Sequence, residues 1–448
     1  MSVLTDRLRA LGITGIRPAR EIEPWPDPKE PIAQTLGGDW SADRRSFVVE
    51  RRLDAHAMHG RVRIGDIASR IARAAQSRAA SMLTHQLDAC PPFLFFDLET
   101  TGLSGGAGTY AFLVGTSRFD KDDFLIRQHL LIDYASEPAM LRRVADDFAC
   151  AASLVSFNGK SFDAPLLDTR YSFHRQQWPG AGRPHVDALH PSRRFWRQGA
   201  TGPRESCSLI ALEEELLGVR RVGDVPGFEI PARYFHFVRS GDAAGLAPVL
   251  EHNRLDLISL AALTARLFEL VEEGASCARD SWEAVALGRT YAANGCVDRA
   301  CDAFERAIDM SAGGSVAADT ARVEALRGLA ALLRRARRYD DAADAWRRLL
   351  QVRTCPHAMA REANEALAIH HEHRVRDLAA AKMFALNSLE TGAGRSGAAW
   401  NDAVRHRLER LEKKERRTDA RLTARPLFPS SSLPPSCGSP TSAPRTSS

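Results

Sequence analysis

Apolar and polar positions fall into distinct textures along the chain. PPFLFFDLETTG, TYAFLVGTSRF and FLIRQHLLIDY are apolar stretches of strand length separated by turn residues, which predicts three successive strands and an antiparallel start to a sheet. SEPAMLRRVADDFAC then runs at helical period from Ser136 and Glu137. SLVSFNG reads as a fourth strand, and SFDAPLLDTRYSFHRQQW opens another helix. Two more helices are expected at 208–219 and 244–273, joined by loops that include VPGFEIPARYF. This order is that of an α/β domain with a mixed sheet, spanning 90–275.

On either side the texture changes. Residues 17–40, rich in Pro and Gly, read as an extended lead-in; 42–65 (SFVVERRL, RVRIG) read as a short strand pair. A helix is expected over 66–87, with Asp66 as N-cap and Ile67, Ile71, Ala74 and Ala75 at helical spacing. No role for 1–89 can be read from the residues. From 280 to 392 the period is helical throughout and recurs. Ala284, Leu287, Gly288, Tyr291, Ala300, Phe304 and Ala307 occupy the small and large positions of a tetratricopeptide-like helix pair. Leu329, Ala330, Leu333, Ala342, Trp346 and Leu349 repeat the offsets, and Leu367, Ala368, His371, Ala380 and Phe384 form a weaker third copy. Such arrays make concave surfaces for protein partners, or simply pack against their neighbours. Residues 405–448 pass from a charged run into a Ser/Pro-rich tail, read as disordered.

The 448 residues, 44% hydrophobic and 26% charged, suit a soluble protein of two or three domains. No run approaches the roughly 18 apolar residues of a membrane span, and MSVLTDRLRALGITG is not a secretion signal. Eight scattered Cys without a CxxC pair speak against a zinc cluster and for reduced thiols in the cytoplasm. The net charge is only +5, and only six of the 61 basic residues are Lys. Arg suits phosphate, although a GC-rich genome gives the same bias. Gly105, Gly106 and Gly108 in GGAGTY lack the strand-before, helix-after setting of a phosphate loop and read as a hairpin turn.

The chemistry sits in the acids. Asp97 and Glu99 lie two apart near the end of an apolar strand, so both carboxylates share a face. Crowding like charges in a partly buried place calls for a compensating cation, and hard Mg²⁺ or Mn²⁺ prefers oxygen ligands. Asp163 follows the fourth strand, early in a helix. His252 and Asp256, four apart, share one face of a later helix. Taken singly, each of these is ordinary: a solvated strand end, a helix-dipole acid, a surface hydrogen bond. Asp187 reads either as a partner of the acids or as a loop cap. Arg193, Arg194 and Trp196 form a candidate phosphate-and-stacking patch.

In the order D-x-E, D, H-x-x-x-D the five residues resemble the motifs of the DEDD exonuclease superfamily, with its ribonuclease-H-like fold. Asp97, Glu99 and Thr-Thr-Gly match the first motif, Asn158 and Asp163 the second, His252 and Asp256 the third. Within that superfamily the chain is similar to the bacterial YprB-like branch, in which tetratricopeptide-like repeats sometimes follow. The His-type third motif spaces its pair five apart and the Tyr-type four; here a His stands at the four-residue spacing. The resemblance implies a 3′–5′ exonuclease acting on DNA or RNA with two Mg²⁺ or Mn²⁺ ions about 4 Å apart. Asp97 would bridge both ions, Glu99 and Asp256 would complete one, and Asp163 would help hold the other. His252 would act as general base, while Thr100, Thr101, Gly102 and Asn158 would receive the terminal nucleotide. A structure-selective endonuclease and a non-catalytic nucleic-acid-binding adaptor are the competing expectations.

Overall fold

The computed structural model describes residues 30–74, 78–84, 89–102, 108–199, 202–312, 315–390 and 398–423. The chain divides into two units, 1–332 and 333–448. Among the described residues no helix is long and apolar enough to cross a membrane.

The first unit is built on a seven-stranded mixed sheet. Its strands are β1 (Asp39–Trp40), β2 (Phe47–Leu53), β5 (Phe93–Thr100), β6 (Ala111–Asp120), β7 (Asp123–Leu130), β8 (Ser153–Ser156) and β9 (His185–Asp187), in the spatial order β1-β2-β7-β6-β5-β8-β9. Two small hairpins supply the other strands, β3 (Met58–His59) with β4 (Val62–Arg63), and β10 (Gln198–Gly199) with β11 (Gly202–Pro203). β5 is antiparallel to β6 and parallel to β8, and β9 is parallel to β8. The helices are α1 (Glu30–Leu36), α2 (Ile64–Ala74), α3 (Ala79–Thr84), α4 (Glu137–Ala149), α5 (Asp163–Phe173), α6 (Leu189–Trp196), α7 (Leu209–Leu212), α8 (Ile230–Ser240), α9 (Ala247–Glu273), α10 (Ser281–Ala293), α11 (Val297–Met310) and α12 (Val316–Arg335).

Alternation on β5 decides what lies on each face of the sheet. Leu94, Phe96 and Leu98 join the core with Met140 and Phe148 of α4, with the Phe96 and Phe148 rings 5.4 Å apart. On the same face Phe112 stacks on Tyr234 of α8 at 4.2 Å. Phe93, two residues from Phe95, meets Phe268 of α9 at 5.7 Å on the opposite face. Each large ring buried in this way contributes roughly 1.5–3 kcal/mol by transfer from water.

Several expectations change. Glu30–Leu36 is helical rather than extended, with Ile32 and Leu36 buried one turn apart. β2 does not pair within a 42–65 hairpin; it joins β7 from Phe47↔Leu130 to Leu53↔Phe124, so the sheet starts well before residue 90. Burial of Phe47, Val48 and Val49 drives that pairing. VPGFEIPARYF is not all loop. Pro231 fits the first turn of α8, and Ile230, Tyr234 and Phe237 bury one stripe. Helix 208–219 is a short turn, Leu209–Leu212, continued by a π-turn at Glu213–Leu217. Of the GGAGTY glycines, Gly105 and Gly106 lie outside the described residues.

In α10 and α11, Ala284, Leu287, Tyr291, Ala300, Phe304 and Ala307 are buried. Gly288 and Gly328 both leave room for the Phe304 ring, which a Cβ at either position would meet at 2.6 Å.

The second unit is helical: α13 (Tyr339–Leu350), α14 (His357–His370), α15 (Leu378–Glu390) and α16 (Ala398–Thr423). Ala381 and Ala385 are buried there instead of Ala380 and Phe384, one position later than the third copy predicted. A π-turn at His371–Val375 precedes the shift. The charged run after Arg405 is not disordered through residue 423. Val404 is buried with Ala368 and Ala385, Leu408 packs against them, and Leu411 is buried as well. Arg410 and Lys414 pair with the buried Glu372 at 2.8 and 2.7 Å. The Ser/Pro-rich stretch 424–448 lies outside the described residues.

Candidate active site

Parallel pairing of β5 with β8 sets their carboxyl ends side by side. Asp97 and Glu99 occupy the end of β5, on the face covered by α9. Asp97 lies opposite Gly115 of β6, which in turn lies opposite Gln128 of β7. The missing side chain at Gly115 is what lets α9 come close, since a Cβ there would stand 2.2 Å from Asn253 Oδ1. Asn253 Nδ2 donates to Asp97 Oδ2 at 2.9 Å, and Gln128 Nε2 donates to Asn253 Oδ1 at 3.0 Å. A buried polar ladder therefore fixes one carboxylate oxygen of Asp97.

Asp163 opens α5, directly after the loop that follows β8. Asp187, at the end of β9, holds that loop by accepting from the backbone N–H groups of Asn158 (2.8 Å) and Lys160 (3.2 Å), and it also accepts from Leu189. Asn158 takes a left-handed backbone with φ of 69°, a conformation Asn tolerates better than most residues. Next to it, Gly159 must lack a side chain, because its Cβ would meet Ser156 Oγ at 2.5 Å and Asp163 Oδ2 at 2.9 Å. Asp187 is thus both loop cap and neighbour of the acids.

The third contribution comes from α9 and the loop before α8. One ligand atom each from Glu99, His252 and Asp256 lies within 4.8 Å of the others. Asp97 and Glu99 both feel the negative charges of Asp256 and Asp163, which puts the four carboxylates within electrostatic reach of one another. Burial, then the charge of Asp256, pushes Asp97 and Glu99 well above the usual carboxylate range. Burial and the charge of Asp187 push Asp163 up to about 7. An all-oxygen set with one imidazole, holding more negative charge than it can ionise alone, suits a hard divalent cation. The residues fit such an ion.

Residues not singled out in the sequence complete the cluster. His252 Nδ1 lies 2.7 Å from Asp224 Oδ1, and its Nε2 is 3.4 Å from Asp256 Oδ2. Arg221 binds Glu213 through Nε (2.6 Å) and Nη2 (2.9 Å), Asp224 at 3.1 Å and Asp256 at 2.5 Å. Burial opposes its charge, but the Glu213 and Asp256 partners prevail and hold its proton more tightly than usual. Burial also works against ionised Asp224, yet the His252 hydrogen bond and nearby positive charge keep it below its ordinary value. Glu213 accepts from Ser259 at 2.5 Å, and Ser259 meets His59 of the β3–β4 hairpin at 2.8 Å. The N-terminal segment therefore buttresses the site. Nothing in the spacing of RRVGD signals this, since the segment reads as a charged turn.

The four residues expected at the nucleotide end are placed less uniformly. Thr101 closes the β5–β6 connection, with its Oγ1 accepting from Tyr110 N at 2.9 Å, and Thr100 Oγ1 donates to the Gly102 carbonyl at 3.0 Å. A Cβ at Gly102 would meet no described atom within 4 Å, and Asn158 lines a cavity. Trp196 is buried and donates to Glu283 at 2.9 Å, so it is not a stacking surface.

A mixed sheet with acids gathered at the ends of adjacent parallel strands is the architecture of the ribonuclease H class, and a family model described as RNase_H superfamily matches residues 94–268. More particularly, the chain is 32% identical over 323 residues to a Bacillus subtilis (strain 168) protein named "Uncharacterized protein YprB", covering 71% of this chain and 74% of that relative. The chain belongs to that family: a ribonuclease-H-like domain with a helical C-terminal region. Folds of this class are typical of nucleases, which generally use divalent metals.

Proposed function

We propose that the chain is a divalent-metal-dependent nuclease that removes nucleotides from the 3′ end of a nucleic acid. The reading is supported by one observation: Glu99, His252 and Asp256 each bring a ligand atom to within 4.8 Å of the others, with Asp97 and Asp163 in electrostatic reach of them. Asp97, Glu99 and Asp256 would hold one Mg²⁺ or Mn²⁺, and Asp97 with Asp163 a second. Bound there, the ions would neutralise charge on the phosphodiester oxygens and acidify a water molecule.

His252 supplies the proton acceptor. With ionised Asp224 at its Nδ1, that nitrogen carries the proton and Nε2 keeps its lone pair. Nε2 faces Asp256 and the acid cleft. A water attacking phosphorus would give its proton to Nε2 as the P–O3′ bond breaks, O3′ leaving on the shortened strand and taking a proton from solvent, and Asp224 would stabilise the imidazolium. Asp224 is a positioning residue. Replacing it with Asn is expected to lower turnover about 10–100-fold with KM little changed, because the imidazolium loses its anion and the ring its orientation. Turnover at the wild-type level would remove Asp224 from this role.

The test of the function is an end-labelled oligonucleotide ladder, run with DNA and RNA in Mg²⁺ and Mn²⁺. Stepwise shortening from the 3′ end is the expected result; discrete internal cuts would assign an endonuclease instead. One observation favours a non-catalytic adaptor: Arg221 already offers Asp256 a cation. Calorimetric titration with Mn²⁺ separates the two, since an adaptor stabilised by Arg221 alone binds no ion in the cleft. The helical C-terminal region, on the tetratricopeptide-like reading, is a protein-binding surface.

A further inference from the structure

The cavity next to the acid cleft has a composition that the hydrolytic site does not use. It encloses about 730 Å³, against about 300 and 310 Å³ for two others, and falls in the range of about 300–1,000 Å³ typical of ligand sites. Phe157, Asn158, Arg193, Arg197, Arg204 and Ser208 are among its lining residues. Arg193 and Arg197 are four apart, at the end of α6 and its C-cap, so they share one face. Both are exposed, and among the described residues neither guanidinium has an ion-pair partner. Arg204 differs: it is committed to Glu215 and to the carbonyls of Trp196 and Gln198, and so braces the wall. Phe157 places a half-buried aromatic ring in the same wall.

We propose that this cavity holds the single strand behind the nucleotide being cleaved, with Arg193 and Arg197 on internucleotide phosphates and a base stacked on Phe157. The proposal rests on the nuclease reading and names the form of its substrate. Continuity comes from one loop. Asn158 borders the cavity, and adjacent Gly159 lies against Asp163, so a chain leaving the acids meets the arginines next. Two unpaired guanidinium forks match two successive phosphates, and a ring accepts any base by its π face. Duplex bases are already stacked on both sides, so the ring favours single strands.

The test is fluorescence anisotropy of labelled oligo(dT) and oligo(U) with the full chain in EDTA, where no cutting occurs. Arg193→Glu with Arg197→Glu is expected to weaken binding of both strands more than tenfold. It should also lower the slope of log affinity against log salt by about 1.4, the share of two single-strand phosphates. Phe157→Leu should weaken single strands about tenfold and blunt duplex of equal length far less. Arg193→Lys with Arg197→Lys keeps the charge and should restore the salt slope, which misfolding would not allow. Unchanged affinity and slope in the double Glu variant would overturn the proposal, as would equal loss of duplex and single strand in Phe157→Leu. Cutting by Asp97→Asn in Mn²⁺ is scored separately: if it persists, the assignment of the acids as the cutting site falls, and the strand cavity is judged on its binding results alone.

Discussion

Asp97→Asn is expected to reduce phosphodiester hydrolysis in Mg²⁺ or Mn²⁺ by about 10³-fold. Metal-based charge neutralisation contributes several kcal/mol to such a reaction, and each ~1.4 kcal/mol lost is tenfold in rate. Asp97 is central to the cluster: its charge couples to those of Asp256, Glu99 and Asp163, and Asn253 orients one of its oxygens. Loss of activity through unfolding is not the expectation. Asp97 lies well above the ordinary carboxylate range because burial and its neighbours oppose its ionisation, so a neutral amide of the same shape relieves the metal-free protein. The variant should therefore melt no lower than wild type in EDTA, yet lose most of the stabilisation that Mn²⁺ gives wild type. Activity near the wild-type level would sink the assignment of the cleft.

Asp163→Asn is expected to stabilise the metal-free protein by an amount that grows with pH. Burial, then the charge of Asp187, raises the Asp163 carboxyl from 3.8 to about 7. An acid whose folded pKa is raised takes up a proton on folding, so its contribution to stability declines as pH rises from about 4 to about 7. Above that window the penalty is fully present. The advantage of Asn should therefore increase by up to about 1.4 kcal/mol per pH unit across the window and then level off, with solvent at the cleft trimming the total. Urea denaturation of both proteins in EDTA at pH 5, 6 and 8 measures it. Comparing the pair removes the opposing trend of His59 and His185, which burial lowers to about 4. With Mn²⁺ the order should reverse, because the ionised carboxylate then has its partner. A pH-independent difference in EDTA would show that Asp163 ionises normally.

How far the site was legible depended on where each signal resides. DLETTG and EHNRLD carry their spacing within a strand end and a helix, so alternation on a strand and the turn of a helix were enough to align Asp97 with Glu99 and His252 with Asp256. Arg221, Asp224, Glu213 and Gly115 had no such signal. Apart from the Arg221–Asp224 pair, their partners are 8 to 138 positions away (Glu213 to Arg221, Gly115 to Asn253), and an isolated Arg or Asp in a turn carries no periodicity. Trp196 and the 405–423 run misled for a related reason. Composition reports polarity, whereas burial against Glu283 or Glu372 is fixed by a distant segment.

Local pattern thus determined the strand and helix succession, the α/β class and the shared faces of Asp97 with Glu99 and of His252 with Asp256, because those follow from backbone periodicity; the set of acids as one site came from the resemblance. Packing alone decided that β2 belongs to the sheet, that an unpromising loop delivers Asp224 to His252, and that Arg193 and Arg197 face an open cavity. Each of these depends on which surfaces meet after collapse, and no property of neighbouring residues encodes that.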